Sequence, residues 1–260
     1  MRAAADRIET ARTALETVVE TYLADAGAST LTGVTAASKY DAAGVDSALS
    51  PARTRTLEAR DRVVTNDQQR TVDRMFGCWR FLSRASRTQR QTQVAYNNFD
   101  SARRTLAGGS AASTAIRTMD ARRKQALLDL DDLRDAAKPT DPAVLDSLDE
   151  TTYEEKVAQF EAELGVMASL KGPLESFQSA LTDLQDARQT ADDDDASNRD
   201  VAEAAATAEA SFDDVVSKLE SLGSDFSGYE TDPFQTPVSE LADAATEFRD
   251  EAAEIPEENE

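Results

Sequence analysis

The chain reads as an all-α protein, an elongated antiparallel helical bundle with coiled-coil-like packing. Three observations predict this. Apolar residues recur at spacings of three and four in segment after segment. Glycine (10) and proline (7) are too scarce in 260 residues to punctuate a turn-rich β fold. Aromatics are only 6%, and the apolar content leans on alanine, which suits close-packed helices better than a wide core.

The elements follow in order. Ile8, Ala11, Leu15, Val18 and Tyr22 give a first helix over about 3–25. Residues 27–50 hold three glycines and read as a loop with one short helix. Ser50-Pro51 reads as a helix start, serine as N-cap and proline in the first turn. Nothing interrupts the chain again until Gly108-Gly109, so 51–107 reads as one helix of about 85 Å. Its apolar stripe is Val72, Met75, Phe76, Trp79 and Leu82; past Leu82 the seam turns polar at Ser86, Gln89 and Gln93. Solvent exposure is the default expectation for that polar stretch, with register-setting by buried polar groups as the other reading.

After Gly108-Gly109 a further helix runs to about Ala137, followed by the linker Lys138-Pro139-Thr140-Asp141-Pro142 and a short helix to about Leu148. That linker divides the chain into an N-terminal region, 1–137, with the long Arg-rich helix, and an acidic C-terminal region, 138–260; the alternative is that the two continue as one bundle. Thr151 with Glu154 and Thr152 with Glu155 form overlapping capping-box patterns. The helix they open carries the longest seam, from Tyr153 through Phe160, Leu164, Phe177 and Leu181 to Leu184, with a kink expected at Gly172-Pro173. Val201 to Leu222 repeat at alternating four and three. Gly223 to Thr236, with Phe226, Tyr229 and Phe234, reads as a loop, and Thr236-Pro237 opens a last helix before a frayed tail from Ile255. The expected core comprises Leu15, Tyr22, Met75, Phe76, Trp79, Leu82, Phe160, Leu164, Phe177, Leu181, Phe212 and Leu219.

Charge is distributed unevenly. Residues 53–124 hold 16 Arg plus Lys against 6 Asp plus Glu, a net of +10. Residues 131–260 hold 8 against 36, a net of −28, in a chain of net −22. Lysine is rare (6) beside arginine (22). Acid excess with few lysines resembles the style of halophilic archaeal proteins, whose negative surfaces stay hydrated in molar salt but self-repel at low salt.

The chemistry is mostly excluded. The chain has no histidine, which removes the commonest general base, histidine triads and histidine metal ligands. The one cysteine, Cys78, can build neither an intrachain disulfide nor a thiolate zinc site and reads as a small core residue. No phosphate-loop or nucleophile-elbow pattern occurs, and no cofactor is implied. Asp192, Asp194 and Glu203 fall at positions 1, 3 and 12 of an EF-hand-like spacing, but Ser197 stands at position 6 where glycine is needed. The expectation there is a solvated turn.

The partner-binding candidates are Arg70, Arg74, Arg80, Arg84, Arg87, Arg90, Arg103 and Arg104. Their first expected use is pairing with the acidic helices 152–190 and 197–222, or with a protein partner, self or other. A non-enzymatic scaffold or spacer of a halophilic organism is thus the leading expectation. A nucleic-acid-associated protein using the arginine face is the alternative. No apolar run is long enough to span a bilayer. The cytoplasm is the default compartment; an extracytoplasmic, anchored binding protein is expected only if an export signal precedes Met1.

Overall fold

The computed structural model describes residues 2–224, 226 and 231–256. These form seven α-helices: α1 Arg2–Ala24, α2 Ala42–Arg60, α3 Asn66–Ala107, α4 Ser113–Ala136, α5 Thr152–Ala191, α6 Asn198–Ser224 and α7 Asp232–Glu254. No strand occurs among the described residues. The chain is an all-α helical bundle, as the apolar spacing predicts.

Local chemistry sets the ends. α1 stops at Gly27 (φ +61°) and α3 at Gly109 (φ +72°), left-handed conformations that a Cβ would strain. At each, the following amide reaches back to close the helix: Ala28 N–H to Leu23 O at 3.2 Å, and Ser110 N–H to Thr105 O at 3.0 Å.

Five local features differ from the expectation. α2 begins at Ala42, capped by the Asp41 carboxylate accepting from Ala43 N–H, and runs through Pro51. Pro51 lies on the solvent face, where the helical carbonyl it leaves without a donor can be hydrated. The expected single helix 51–107 is broken at residues 61–65, with no Gly or Pro to mark it. There Thr65 Oγ1 accepts from Gln68 N–H, and Gln68 Oε1 accepts from Val64 N–H, a reciprocal cap that starts α3 afresh. α5 takes its cap from Asp149, whose Oδ1 accepts from the amides and hydroxyls of Thr151 and Thr152; it then continues through Pro173. α7 starts at Asp232 with Pro233 in its first turn, four residues before the expected Thr236. The segment 142–148 holds only a 3-10 turn, Pro142–Val144. Tyr229 and the tail residues 257–260 lie outside the described residues.

The helices fall into two compact units. Unit 1 comprises Met1–Val94 and Arg122–Leu164; unit 2 comprises Ala95–Ala121 and Gly165–Glu260. The expected division at 137/138 thus lies within unit 1. α3, α4 and α5 each contribute residues to both.

The core of unit 1 gathers Leu15, Val18 and Tyr22 of α1, Met75, Cys78, Phe81 and Leu82 of α3, and Phe160 and Leu164 of α5. Phe76 and Trp79 were expected in this core but are only partly buried; Cys78 and Phe81 take the fully buried positions. The core of unit 2 sets two aromatic groups among aliphatic residues such as Leu170, Leu174, Val215, Leu219 and Leu241. Phe177, Phe212 and Phe248 meet with ring centroids 5.6 to 6.0 Å apart, and Tyr96, Phe99 and Phe234 form a second set. Leu181, expected in this core, is half-buried, while Leu184 and Ala187 are buried.

Candidate functional site

Unit 1 carries two features that charge and burial set apart: a cationic cleft on its surface and a polar network in its interior.

The cleft lies along α2, α3 and α4 in two adjoining parts, about 910 and 640 Å³. Arg53 and Trp79 line both. The larger part adds Arg60, Arg74, Arg80, Arg134 and Lys138; the smaller adds Arg87 and Arg90. Arg53 sits over the Trp79 ring at 5.5 Å and Arg60 over Phe76 at 5.4 Å, so each aromatic supports a guanidinium. Trp79 Nε1–H donates to Leu49 O at 3.0 Å, which fixes the indole at the cleft wall. Gly77 lets the buried Asp141 carboxylate lie against the helix backbone; a Cβ there would stand 2.0 Å from Asp141 Oδ2.

The eight candidate arginines do not act as one group. Arg70 to Arg90 belong to unit 1, Arg103 and Arg104 to unit 2. Arg70 pairs along its own helix with Asp67 at 3.8 Å, and Arg74 donates to Thr140 O at 2.7 Å. Arg84 pairs with Asp132 of α4 at 3.3 Å. Arg103 bonds Asp100 and Glu240 of α7, and Arg104 also bonds Asp100. Burial pushes the Asp100 carboxyl up, but the hydrogen bonds from Arg103 and Arg104 outweigh it and hold its pKa below the usual range. The carboxylates met by these arginines therefore stand on α3, α4 and α7, not on the expected helices 152–190 and 197–222. Arg80, Arg87 and Arg90 make no hydrogen bond or ion pair among the described residues; all three are exposed. Arg87 acts at longer range on Asp129, whose carboxyl is raised by burial despite Gln125 and Arg87.

The interior network overturns the default expectation for the polar seam. Ser86 and Gln89 are fully buried, and Gln93 is partly so. They face the segment 31–40, a single 3-10 turn at Leu31–Gly33 followed by irregular chain, several of whose carbonyls and amides are met by side chains. Gln89 Nε2 donates to Thr35 O and Gln93 Nε2 to Ser38 O, both at 2.8 Å, and Tyr40 OH donates to Ser86 Oγ at 2.7 Å.

From α5, Lys156, Gln159 and Glu163 reach the same segment; spacings of three and four put them on one helix face. Lys156 Nζ donates to Val34 O, Gln89 Oε1 and Gln159 Oε1 at 2.7 to 2.9 Å, which uses all three of its donors. Gln159 Nε2 donates to Thr32 O, and Glu163 Oε1 accepts from Ala36 N–H at 2.8 Å. The ammonium also stands 4.5 Å from the Phe160 ring. Burial draws the Lys156 pKa down from 10.5 to about 7, against the opposing pull of Glu163.

Sequence reasoning missed Arg53, Arg60, Arg134 and Lys138 as cleft residues, because they come from other segments than the 70–104 run. It also missed Lys156, Gln159 and Glu163. Their signal was a polar stripe at helical spacing beside the apolar seam of α5.

Asp192, Asp194 and Glu203 are exposed, the first two in the α5–α6 turn and the third on α6. Among the described residues, no group of three acidic or cysteine side chains is gathered to hold a metal ion. No helix of the described residues is long and apolar enough to cross a membrane. Against family models, curated proteins and solved structures, the chain finds no match.

Proposed function

We propose that this is a non-enzymatic helical interaction protein whose cationic cleft receives an acidic protein surface. One observation carries the reading. In a chain with 50 acidic and 28 basic residues, Arg80, Arg87 and Arg90 are exposed and form no hydrogen bond or close ion pair among the described residues, Arg87 meeting Asp129 only at longer range. A cation left unmatched amid excess acid is available to an outside anion. The absence of histidine and the full burial of Cys78 support a binding rather than a catalytic role. The acid excess supports a high-salt setting.

Protein is favoured over nucleic acid because the cleft is mixed in sign. Asp46, Asp73, Asp129 and Asp135 stand among its arginines and would repel a phosphate backbone. A folded acidic partner can place its own cations against them.

Trp79 is the only tryptophan and lies in the cleft, so its emission reports occupancy. Titration with a Glu-rich helical peptide is expected to change Trp79 fluorescence and to saturate. Changing Arg80, Arg87 and Arg90 together to Ala is expected to weaken binding about ten- to a hundredfold, at roughly 0.5–1 kcal/mol per exposed pair. No response to the peptide, with a saturable response to duplex DNA that the same changes abolish, would replace this reading with the nucleic-acid one.

A further inference from the structure

The cleft also has a complement within the same sequence. We propose that the acidic turn Asp192–Asp195 of a second copy of this chain docks in the cationic cleft, an inference that rests on the cleft receiving an acidic protein surface.

The turn joins α5 to α6 and presents four consecutive exposed aspartates. Its own chain does little to neutralise them. Arg188, just before the turn, is held by Glu251, with Arg188 Nε donating at 2.8 Å. Lys218 is held by Asp214 and Ser176. Arg199 is the only other basic residue between Arg188 and Lys218. The turn's geometry is set locally, with Asp193 Oδ1 accepting from Asp195 N–H at 3.0 Å, so the carboxylates are presented on a formed turn between two helices.

The charges of the two units select this pairing. Unit 1 holds 20 basic and 23 acidic residues, a net of −3; unit 2 holds 8 and 27, a net of −19. Two copies of unit 2 repel each other, whereas the unmatched arginines of unit 1 attract the acidic turn. Every copy carries both surfaces, so the complement is present at the protein's own concentration. Met reciprocally, the two surfaces close a two-fold dimer; met in one direction, they build rings or open chains; in either case assembly grows with concentration. Screening shortens from about 10 Å at 0.1 M salt to about 3 Å at 1 M, which weakens such a contact.

The test is the molar mass of the full chain by light scattering after size-exclusion chromatography, at the lowest salt that keeps full helicity and again in molar salt. Mass is expected to rise with concentration above the 28.1 kDa monomer at the lower salt and to return toward it at the higher. Arg80→Glu, Arg87→Glu and Arg90→Glu together are expected to abolish the rise. So are Asp192→Lys, Asp193→Lys and Asp194→Lys together. A chain carrying both sets is expected to associate again, because the charges are exchanged rather than lost. Far-UV circular dichroism verifies that each variant stays folded. A parent chain that is monomeric throughout, or association that neither set alters, would overturn the proposal. If the parent is monomeric while Trp79 still responds to a Glu-rich peptide, the second-copy inference falls and the cleft reading stands; if Trp79 is also silent, both fall.

Discussion

Unit 1 and unit 2 share α3, α4 and α5 but build their interiors by different means. Of the buried polar side chains among the described residues, all but Asp120 lie in unit 1. Unit 2 packs phenylalanines at ring-contact distance within a mostly aliphatic core and carries nearly all of the chain's net charge. The difference follows from the backbone each must cover. Unit 1 encloses the irregular segment 31–40, whose amides and carbonyls need partners, and the facing helices supply glutamines, a serine, a lysine and a glutamate. Unit 2 covers mainly helix surface, whose backbone groups are already satisfied, so apolar packing suffices.

Breaking the network should show this most strongly. Lys156→Met keeps the volume but leaves Val34 O and the carbonyls of Gln89 and Gln159 without their shared donor. A loss of about 3–5 kcal/mol is expected in urea unfolding followed by Trp79 fluorescence, which reports unit 1. A loss under about 1 kcal/mol would mean the network is not what holds segment 31–40. In unit 2, Phe177→Ala should cost about 3–4 kcal/mol by opening a cavity beside Phe212 and Phe248, while Phe177→Leu, which removes less volume, should cost less. Circular dichroism melts of the two variants decide it. Equal losses would point to a core more specific than a dry aromatic cluster.

The same contrast appears in how much the sequence disclosed. The all-helical fold was legible because unit 2 and the α1 and α5 seams use sustained apolar spacing of three and four residues, with one phase skip in α5 between Met167 and Leu170. Leu15, Phe160, Phe177 and Phe212 all occupy the expected interior. The polar seam of α3 was misread, because Ser86 and Gln89 look like a solvated face until the segment they satisfy is known. The break before α3 was hidden because it needs no Gly or Pro, only Thr65 and Gln68 bonding across the helix start. Pro51 misled in the opposite sense, since a proline on the solvent face does not stop a helix. At the cleft, the arginine excess was visible, but which arginines remain unmatched depended on the neighbouring α2 and α4.

A smaller effect sharpens the comparison through pH. The lowered pKa of Lys156 means that the unfolded chain binds more protons than the folded one between about pH 7 and 10.5. Stability of unit 1 is therefore expected to rise with pH above neutrality. Burial raises the phenol pKa values of Tyr22 and Tyr40 in the folded state, so their contribution is lost once pH passes the unfolded value of 10, and the rise should reverse there. Lys156→Met should flatten the rising limb; an unchanged limb in that variant would assign it to other groups.

The most direct measurement is hydrogen exchange by mass spectrometry on the full chain as salt is lowered from molar to about 0.1 M, where screening lengthens to roughly 10 Å. Peptides from α6 and α7 should lose protection well before those from α1 and α2, because unit 2 carries a net of −19 against −3 for unit 1. Equal loss in the two units, or earlier loss in unit 1, would contradict the division of the molecule into a polar-cored, near-neutral part and a dry-cored, acidic one.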